Sequence, residues 1–401
     1  MTHMGHDTTH ALFDFDQTID RGGTHSVKFD ARAAVFGDAD VTPLWVADMD
    51  FAVAPCISDA VTARARHPVY GYTLVPDSLY QAVIDWHAER HGWHIERDDI
   101  MLTPGTLPAL STAIEAFTQT GDGVVIQPPV YGPFAALTET AGRKVAANPL
   151  IETDGHHSID LDHLEHCAVD GARLLLLCNP HNPVGRVWSR SELEAILDIS
   201  RRHGLTVVSD DIHGDLTYSD ADYVPLGRLA RSDDRVISAI SPCKTFNIQG
   251  LALTALTVPD PACRAALAGV LAARRLDNFN PFSLAAAEAA WRHGGPWRDA
   301  LVTYLQTTRD ALVDHVHRHL APIRVTSPQA GYLMWLDCRA LGMDDAELRR
   351  FFIERCRLGL NPGVDFGAGG SGFMRLNIAS PRARIMQALD AIGDALTEVP
   401  S

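Results

Sequence analysis

The chain of 401 residues lacks several features that would assign it to a specialised class of protein. Its seven cysteines are an odd number without close spacing, which argues against a disulfide framework and is typical of free thiols in a reducing compartment. It has no surplus of basic residues, because the formal net charge is −16. We therefore expect no nucleic-acid partner. The acidic residues are dispersed, as on an ordinary solvated surface.

Long apolar runs are also missing. No run approaches the roughly 20 residues that a membrane span needs. The first residues, MTHMGHDTTHALFDFDQ, do not have the basic-then-apolar order of a signal peptide. We expect a cytoplasmic protein that does not bind membranes. The 19 histidines show no spacing with cysteine or aspartate that fits a metal site, so no metal is predicted.

The sequence does contain an alternation of short apolar runs and helical patterns, and its 46% hydrophobic content is enough for two domains. Five runs rich in leucine or β-branched residues predict strands at 123–128, 173–180, 205–211, 235–241 and 252–258. Residues 191–204 predict a helix with Leu193, Ile196 and Leu197 on one face and Gly204 at its end. Strands separated by helices predict an α/β fold with a parallel sheet covered on both faces.

Near residue 285 the pattern changes to longer helices followed by short strand-like runs, which predicts a second, smaller α+β domain. The sequence shows no internal repeat and no low-complexity linker, so the two domains are expected to share a firm interface. We predict a large domain at 46–285 and a small domain at 286–401, with residues 1–45 as an N-terminal arm that joins the small domain.

Polar residues stand where the predicted strands end. NPHNPVG (179–185), DDIH (210–213) and SPCK (241–244) follow three of the strands, and TPGT (103–106) precedes a helix. Ligands of open α/β sheets bind at the carboxyl ends of the strands, so these residues should converge. These residues suit a ligand with three groups. A glycine-threonine helix start can bind a phosphate, an acid can pair with a ring nitrogen, and a lysine can condense with an aldehyde. Pyridoxal 5′-phosphate has all three.

Seven segments, in order and spanning nearly the whole chain, resemble a known family. They are RGGTHSVKFD (21–30), PLWVADMDFAVAP (43–55), VYGYT (69–73), NPHNPVGRVW (179–188), SDDIHGDL (209–216), KTFNIQGL (244–251) and GLNPGVDFG (359–367). The sequence is similar to fold-type I pyridoxal-phosphate enzymes of the class I/II aminotransferase family, and more narrowly to their cystathionine β-lyase or C–S lyase branch. This resemblance implies a mostly parallel, seven-stranded sheet sandwiched by helices.

The resemblance implies roles for residues at the ends of the central strands. Lys244 is expected to form the Schiff base with the cofactor and to carry the substrate's α-proton. Asp210 is expected to pair with the pyridine nitrogen. Asn182 and His213 are expected near the cofactor 3-oxygen. Adjacent Asp211 is expected to be structural.

Other residues are expected to bind the phosphate. Gly105 and Thr106 would begin a helix whose free N–H groups hold it, and Ser241 would add a contact. By resemblance, Tyr72 would reach the phosphate of the other subunit in a homodimer with shared active sites.

Two further residues would complete the site. Tyr131 is expected to stack on the pyridine ring, and Arg375 to hold the substrate α-carboxylate. The sequence departs from the family at two points: Cys243 stands where many relatives have serine, and Ala252 where aminotransferases often have arginine. Each site residue also has a structural alternative, such as a turn for Asn182, a salt bridge for Arg375 or a place in the core for Tyr131.

The predicted reaction follows from this resemblance. It favours β-elimination of a thiol from cystathionine or another cysteine S-conjugate, giving pyruvate and ammonia. Transamination on the same fold is the alternative, because no single residue forces elimination. A non-catalytic regulatory protein is a third reading, disfavoured by the presence together of Lys244, Asp210, Asn182 and Arg375.

Overall fold

A computed structural model describes residues 13–398 of the chain. Its helices are α1 Val27–Asp30, α2 Arg32–Phe36, α3 Pro55–Arg66, α4 Asp77–His91, α5 Thr106–Phe117, α6 Pro133–Thr140, α7 Leu161–Val169, α8 Arg190–His203, α9 Leu226–Leu229, α10 Pro242–Phe246, α11 Pro261–Arg274, α12 Pro281–His293, α13 Gly295–His319, α14 Asp345–Arg350 and α15 Arg382–Thr397. None of the helices in this part of the chain has both the length and the apolar content needed to cross a bilayer.

The strands are shorter than most of the helices. They are β1 Thr42–Pro43, β2 Ile100–Thr103, β3 Gly123–Ile126, β4 Lys144–Ala147, β5 Ile151–Thr153, β6 His156–Ser158, β7 Ala172–Cys178, β8 Thr206–Asp210, β9 Val236–Ile240, β10 Thr254–Thr257, β11 Arg324–Val325, β12 Leu333–Asp337, β13 Leu358–Gly359, β14 Asn361–Pro362 and β15 Phe373–Asn377. All five predicted strands form, within two residues or so of the predicted ends.

The central sheet has seven strands in the order β2-β10-β9-β8-β7-β3-β4. Strand β10 runs antiparallel to both neighbours, and the other pairs from β9 to β4 are parallel. This arrangement confirms the predicted fold class. A second sheet, β11-β12-β15-β14, is antiparallel and carries residues of the C-terminal part of the chain.

Both faces of the central sheet are buried, which explains why β7 reads as an unbroken run of leucines. Leu174 and Leu176 pack against the layer that includes α5, whereas Leu175 and Leu177 pack against the layer that includes α8. Helix α8 begins with a capping box formed by Ser189 and Glu192, and its predicted apolar face is buried. The two helical layers therefore fix the sheet, and with it the positions of the strand ends.

Candidate active site

A cavity of about 850 Å³ opens at the carboxyl edge of the central sheet. Strands β7, β8 and β9 are neighbours, with Cys178 opposite Asp210 and Asp210 opposite Ala239, so the residues that follow them converge. Eight of the ten predicted site residues line this cavity. They are Gly105, Thr106, Tyr131, Asn182, Asp210, His213, Lys244 and Arg375.

Lys244 lies on the short helix α10, directly after β9. Its amine donates a hydrogen bond to the backbone carbonyl of Ala47, with 2.7 Å between nitrogen and oxygen. Burial, and then the nearby guanidinium of Arg375, lower the pKa of Lys244 to about 8. A larger share of the amine is therefore neutral near pH 7 than for an ordinary lysine, as a nucleophile or base requires.

Asp210 is the last residue of β8, and its carboxylate is buried at the cavity wall. Within residues 13–398 its only side-chain hydrogen bond comes from the backbone N–H of Ile212, at 3.4 Å. Burial raises the pKa of Asp210 to about 7, and the Lys244 charge opposes this only in part. A cationic ligand group in the cavity would stabilise its ionised form.

Arg375 lies in the middle of β15 and is buried. It donates to the side-chain oxygen of Asn182 at 3.1 Å, to the Trp45 carbonyl at 2.9 Å and to the side-chain oxygen of Asn361 at 2.8 Å. In the described part of the chain no carboxylate pairs with it, and its buried Nε has no partner. Burial lowers the pKa of Arg375 to about 10. A guanidinium without a counter-ion at a cavity wall is suited to a substrate carboxylate.

Two rings complete the wall near Asp210. His213 is buried, and its burial, together with the charges of Lys244 and Arg375, lowers its pKa to about 3. The imidazole is therefore neutral and able to share one proton with a ligand oxygen. Tyr131 also lines the cavity, and burial and the nearby Asp210 raise its pKa, so it keeps its hydroxyl proton.

The start of α5 forms another part of the wall. Gly105 has a φ of +131°, and a Cβ there would lie 3.3 Å from the Cβ of Ala252. The Thr106 hydroxyl is 3.0 Å from that of Thr254. Backbone N–H groups at the beginning of this helix of 12 residues can bind an anion, assisted by the helix dipole.

The structure does not bring two predicted residues to the cavity. The Ser241 hydroxyl donates to the Leu253 carbonyl at 2.6 Å and accepts from the Cys243 N–H at 3.2 Å, so it caps α10 instead of lining the cavity. Its assignment to a phosphate contact has no support in this geometry. Tyr72 is fully exposed, in a segment without regular structure, and does not line the cavity.

Some charged residues at the cavity were not predicted from the sequence: Arg21, Asp48 and Asp50 line it, and Lys28 pairs with Asp50. Lys28 is fully buried and lies 3.0 Å from the Asp50 carboxylate, while Arg21 pairs with Asp48 at 2.6 Å and with Asp50 at 2.8 Å. These residues come from the segments RGGTHSVKFD and PLWVADMDFAVAP, which carried the resemblance but received no role. Opposite charges in two segments near the N-terminus were the available signal.

Comparison with known proteins places the chain in a family. Residues 39–392 match the family described as aminotransferase class I and II, and the chain belongs to this family. Cystathionine beta-lyase PatB of Bacillus subtilis is 41% identical over 96% of this chain and 100% of its own length. Protein MalY of Escherichia coli is 34% identical over 97% and 100%. The crystal structure of cystalysin from Treponema denticola, which contains pyridoxal 5′-phosphate, matches with a TM-score of 0.94 and 32% identity, over 97% of this chain and 100% of that one.

Proposed function

We propose that this protein is a pyridoxal-phosphate-dependent C–S β-lyase. It eliminates a thiol from cystathionine or another cysteine S-conjugate and yields pyruvate and ammonia. The observation that carries the proposal is one cavity that brings together the Lys244 amine, of lowered pKa, with Asp210, His213 and Arg375. No carboxylate within residues 13–398 pairs with this arginine. The names of the relatives, a cystathionine beta-lyase and cystalysin, support the same reaction.

The residues present fit the cofactor. The buried Asp210 carboxylate has no cationic partner at ion-pair distance within residues 13–398, and a protonated pyridine nitrogen would supply one. The N–H groups after Gly105 suit the phosphate, and the Lys244 amine suits the aldehyde. Asn182 and His213 would hold the ring's 3-oxygen, and Tyr131 would stack on the ring. With Ser241 turned away, the phosphate would depend on α5 and, by resemblance, on the partner subunit.

When bound, the cofactor supplies an electron-withdrawing ring that stabilises negative charge at the substrate's α-carbon. Arg375 holds the substrate carboxylate, which fixes the α-C–H bond relative to Lys244. The neutral Lys244 amine removes the α-proton, the C–S bond breaks, and the electron pair leaves with sulfur. The thiolate gains a proton, and the aminoacrylate released takes up water to give pyruvate and ammonia.

An aminotransferase of the same fold is the alternative, because α-proton removal by Lys244 begins both reactions. The family itself is described by transamination, which gives this alternative its weight. The reaction would then end without release of a thiol. A non-catalytic regulatory protein is less well supported, since binding alone does not require Lys244 beside Asp210.

We also propose a cytoplasmic homodimer. The segment that contains Tyr72 exposes four large apolar side chains, which a second copy would cover: Val69, Tyr70, Tyr72 and Leu74. All seven cysteines are free, as a reducing compartment favours. The division into an arm at 1–45, a large domain at 46–285 and a small domain at 286–401 is part of this proposal. The pairing of β1 with β13 supports the arm's attachment to the C-terminal part.

Product analysis tests the function. Purified protein with pyridoxal 5′-phosphate and cystathionine, but no keto acid, should release thiol, pyruvate and ammonia in equal amounts over many turnovers. An aminotransferase would stop after one turnover until a keto acid is added. Turnover that depends on a keto acid and releases no thiol would contradict the lyase and support the alternative.

A further inference from the structure

The backbone carbonyl of Ala47 accepts hydrogen bonds from three side chains. The Lys244 amine lies 2.7 Å from this oxygen, the Tyr332 hydroxyl 3.0 Å and the Gln249 amide nitrogen 3.4 Å. A carbonyl oxygen has two lone pairs, so three donors must share them. The amine of Lys244 therefore competes for its acceptor.

This carbonyl cannot easily move away from the amine, because the segment around it is held on both sides. The side-chain amide of Asn377 donates to the carbonyl of Val46 at 2.6 Å and to that of Asp48 at 2.7 Å. These two bonds flank Ala47. The N–H of Asp50 also donates to the Ala379 carbonyl at 2.9 Å. The acceptor offered to Lys244 is therefore a fixed one.

Tyr332 can donate a hydrogen bond to the Ala47 carbonyl across the whole working pH range. The residue directly precedes β12 and is fully buried. Burial raises the pKa of Tyr332 well above its ordinary value, so the hydroxyl keeps its proton and remains a donor. Its ring lies 6.1 Å from that of His213, which places it against the cavity wall without reaching the cavity itself.

We propose that the Ala47 carbonyl holds the Lys244 amine whenever the amine is free, and that Tyr332 is a positioning residue that weakens this hold by sharing the carbonyl. A strong hydrogen bond to the charged amine would favour its protonated form and leave a smaller neutral fraction to accept the substrate's proton near pH 7. Tyr332 thus keeps the amine ready to accept a proton. The expected effect of Tyr332 on turnover rests on the proposed function. The expected effect of Tyr332 on the pKa of the Lys244 amine does not.

The charged and titratable groups that face the amine stay the same when only the Tyr332 hydroxyl is removed. They are Arg375, Asp210, Asp48, Cys243 and His213. Tyr332→Phe therefore tests the shared carbonyl alone. Tyr218→Phe is the matched control, because Tyr218 is also buried and donates to a backbone carbonyl, that of Gly331. It loosens the chain next to Tyr332 without changing the donors on Ala47.

The chain has three lysines, which makes the amine directly measurable. Lys28 is buried in its ion cluster and Lys144 is exposed, so Lys144 serves as an internal reference for amine reactivity. The full-length chain without cofactor is labelled with acetic anhydride across a pH series, and each lysine is quantified by mass spectrometry. We expect the labelling midpoint of Lys244 to rise by about one pH unit in Tyr332→Phe, on the scale of one hydrogen bond, and to stay in place in Tyr218→Phe.

With the cofactor bound, Tyr332→Phe should lower kcat by about tenfold and leave KM within about twofold, because the substrate contacts of Arg375 are unchanged. A Lys244 midpoint that does not move, or that moves equally in both variants, would overturn the proposal. If Tyr332→Phe does not fold, Gln249→Met takes its place, because it also removes a donor from the Ala47 carbonyl. The labelling midpoint of Lys244 should then rise by a smaller amount, and an unchanged midpoint in Gln249→Met would overturn the proposal. If the unaltered protein releases no thiol, the proposed lyase activity is contradicted. The labelling result would still decide whether Tyr332 changes the pKa of Lys244.

Discussion

At the scale of single residues, Asp210 and Asp211 show how neighbours in the sequence take different roles. Burial raises the pKa of each carboxyl to about 7. Asp211 accepts hydrogen bonds from Asn179 at 3.2 Å, Ser209 at 3.0 Å and Tyr223 at 3.1 Å, which agrees with the structural role expected for it. Asp210 faces the cavity with one backbone donor. Its charge is therefore a cost to the fold unless a ligand compensates it.

Because the Asp210 charge destabilises the folded chain without cofactor, Asp210→Asn should change the free energy of unfolding in a pH-dependent way. A carboxyl with a raised folded pKa stabilises the protein below the unfolded pKa, and that contribution is lost as pH rises toward the folded value, here from about 4 to 7. Asparagine imitates the protonated form. At about pH 8 the variant should therefore unfold with a free energy a few kcal/mol higher than the parent, a difference that vanishes near pH 4.

Denaturant unfolding at both pH values measures the difference, with the exposed Asp222→Asn as a control that should change nothing. The same Asp210→Asn variant should lose at least about a hundredfold in turnover, since the ring nitrogen loses its counter-charge. A variant less stable than its parent at the higher pH would show that Asp210 already has its partner within the protein.

Some residues of the site could be predicted from the sequence and others could not. The position of Lys244, Asp210 and Arg375 at one cavity was predictable, because charged side chains beside apolar strands stand out; their roles came from the family resemblance. The Ala47 carbonyl was not, since every residue has one and only the fold decides which carbonyl meets the amine. Tyr332 gave no signal either, because a buried tyrosine next to a strand is common in any core.

At the scale of elements, the order of strands in the sheet determines which residues meet. The helix α5 follows β2 at one edge of the sheet, and β10 lies between β2 and β9. Ala252, which precedes β10, therefore touches the start of α5 at Gly105. The helix α5 and the glycine at its start were predictable from the sequence. The antiparallel course of β10 was not, because it depends on tertiary packing. The sequence could not separate two roles for Ser241, because a phosphate contact and a helix cap share one pattern, a serine just before a helix; the structure shows the cap.

Gly105→Ala tests the start of α5. The backbone at φ +131° disfavours any side chain, and the new Cβ would press on Ala252 and shift the N–H groups of the helix start. We expect the Kd for pyridoxal 5′-phosphate to rise at least about tenfold, corresponding to the loss of one anion hydrogen bond. Fluorescence titration of the cofactor measures it.

Gly121→Ala is the matched control for backbone strain. Gly121 has a φ of +91°, and no atom of residues 13–398 lies within 4 Å of an added Cβ. It is not among the residues that line the cavity. It should lower the stability of the protein without changing the Kd for the cofactor. Equal changes of Kd in the two variants would mean that strain, and not the helix start, controls cofactor binding.

At the scale of the whole molecule, the apolar segment at 69–74 is the clearest sign of an incomplete surface. Tyr72 and Leu74 are almost entirely exposed, and Val69 and Tyr70 are more than half exposed. Isolated exposed apolar residues are ordinary, but a cluster in one segment marks an interface. Alternating strands and helices made the fold class predictable, whereas an exposed segment of this kind cannot be recognised from hydropathy alone.

Leu74→Asp tests the proposed dimer. A charge within a buried interface costs free energy that the monomer does not incur, so the variant should shift toward monomer in analytical ultracentrifugation. Val169→Asp, at an exposed valine elsewhere on the surface, should leave the mass unchanged. The Leu74→Asp monomer should also bind the cofactor less tightly, because Tyr72 would no longer reach the partner's phosphate. A parent protein that is monomeric and fully active would contradict the dimer.

Lys244 is the residue to which we expect the cofactor to attach, and one labelling experiment identifies the attachment site. The protein is incubated with pyridoxal 5′-phosphate, reduced with borohydride and digested, and the modified lysine is identified by mass spectrometry. Lys28, Lys144 and Lys244 are the only candidates in the sequence, and Lys28 is engaged with Asp50. We expect one modified lysine, Lys244, and none in Lys244→Ala. Modification of Lys144 or Lys28 in place of Lys244, or none at all in the parent, would contradict this assignment.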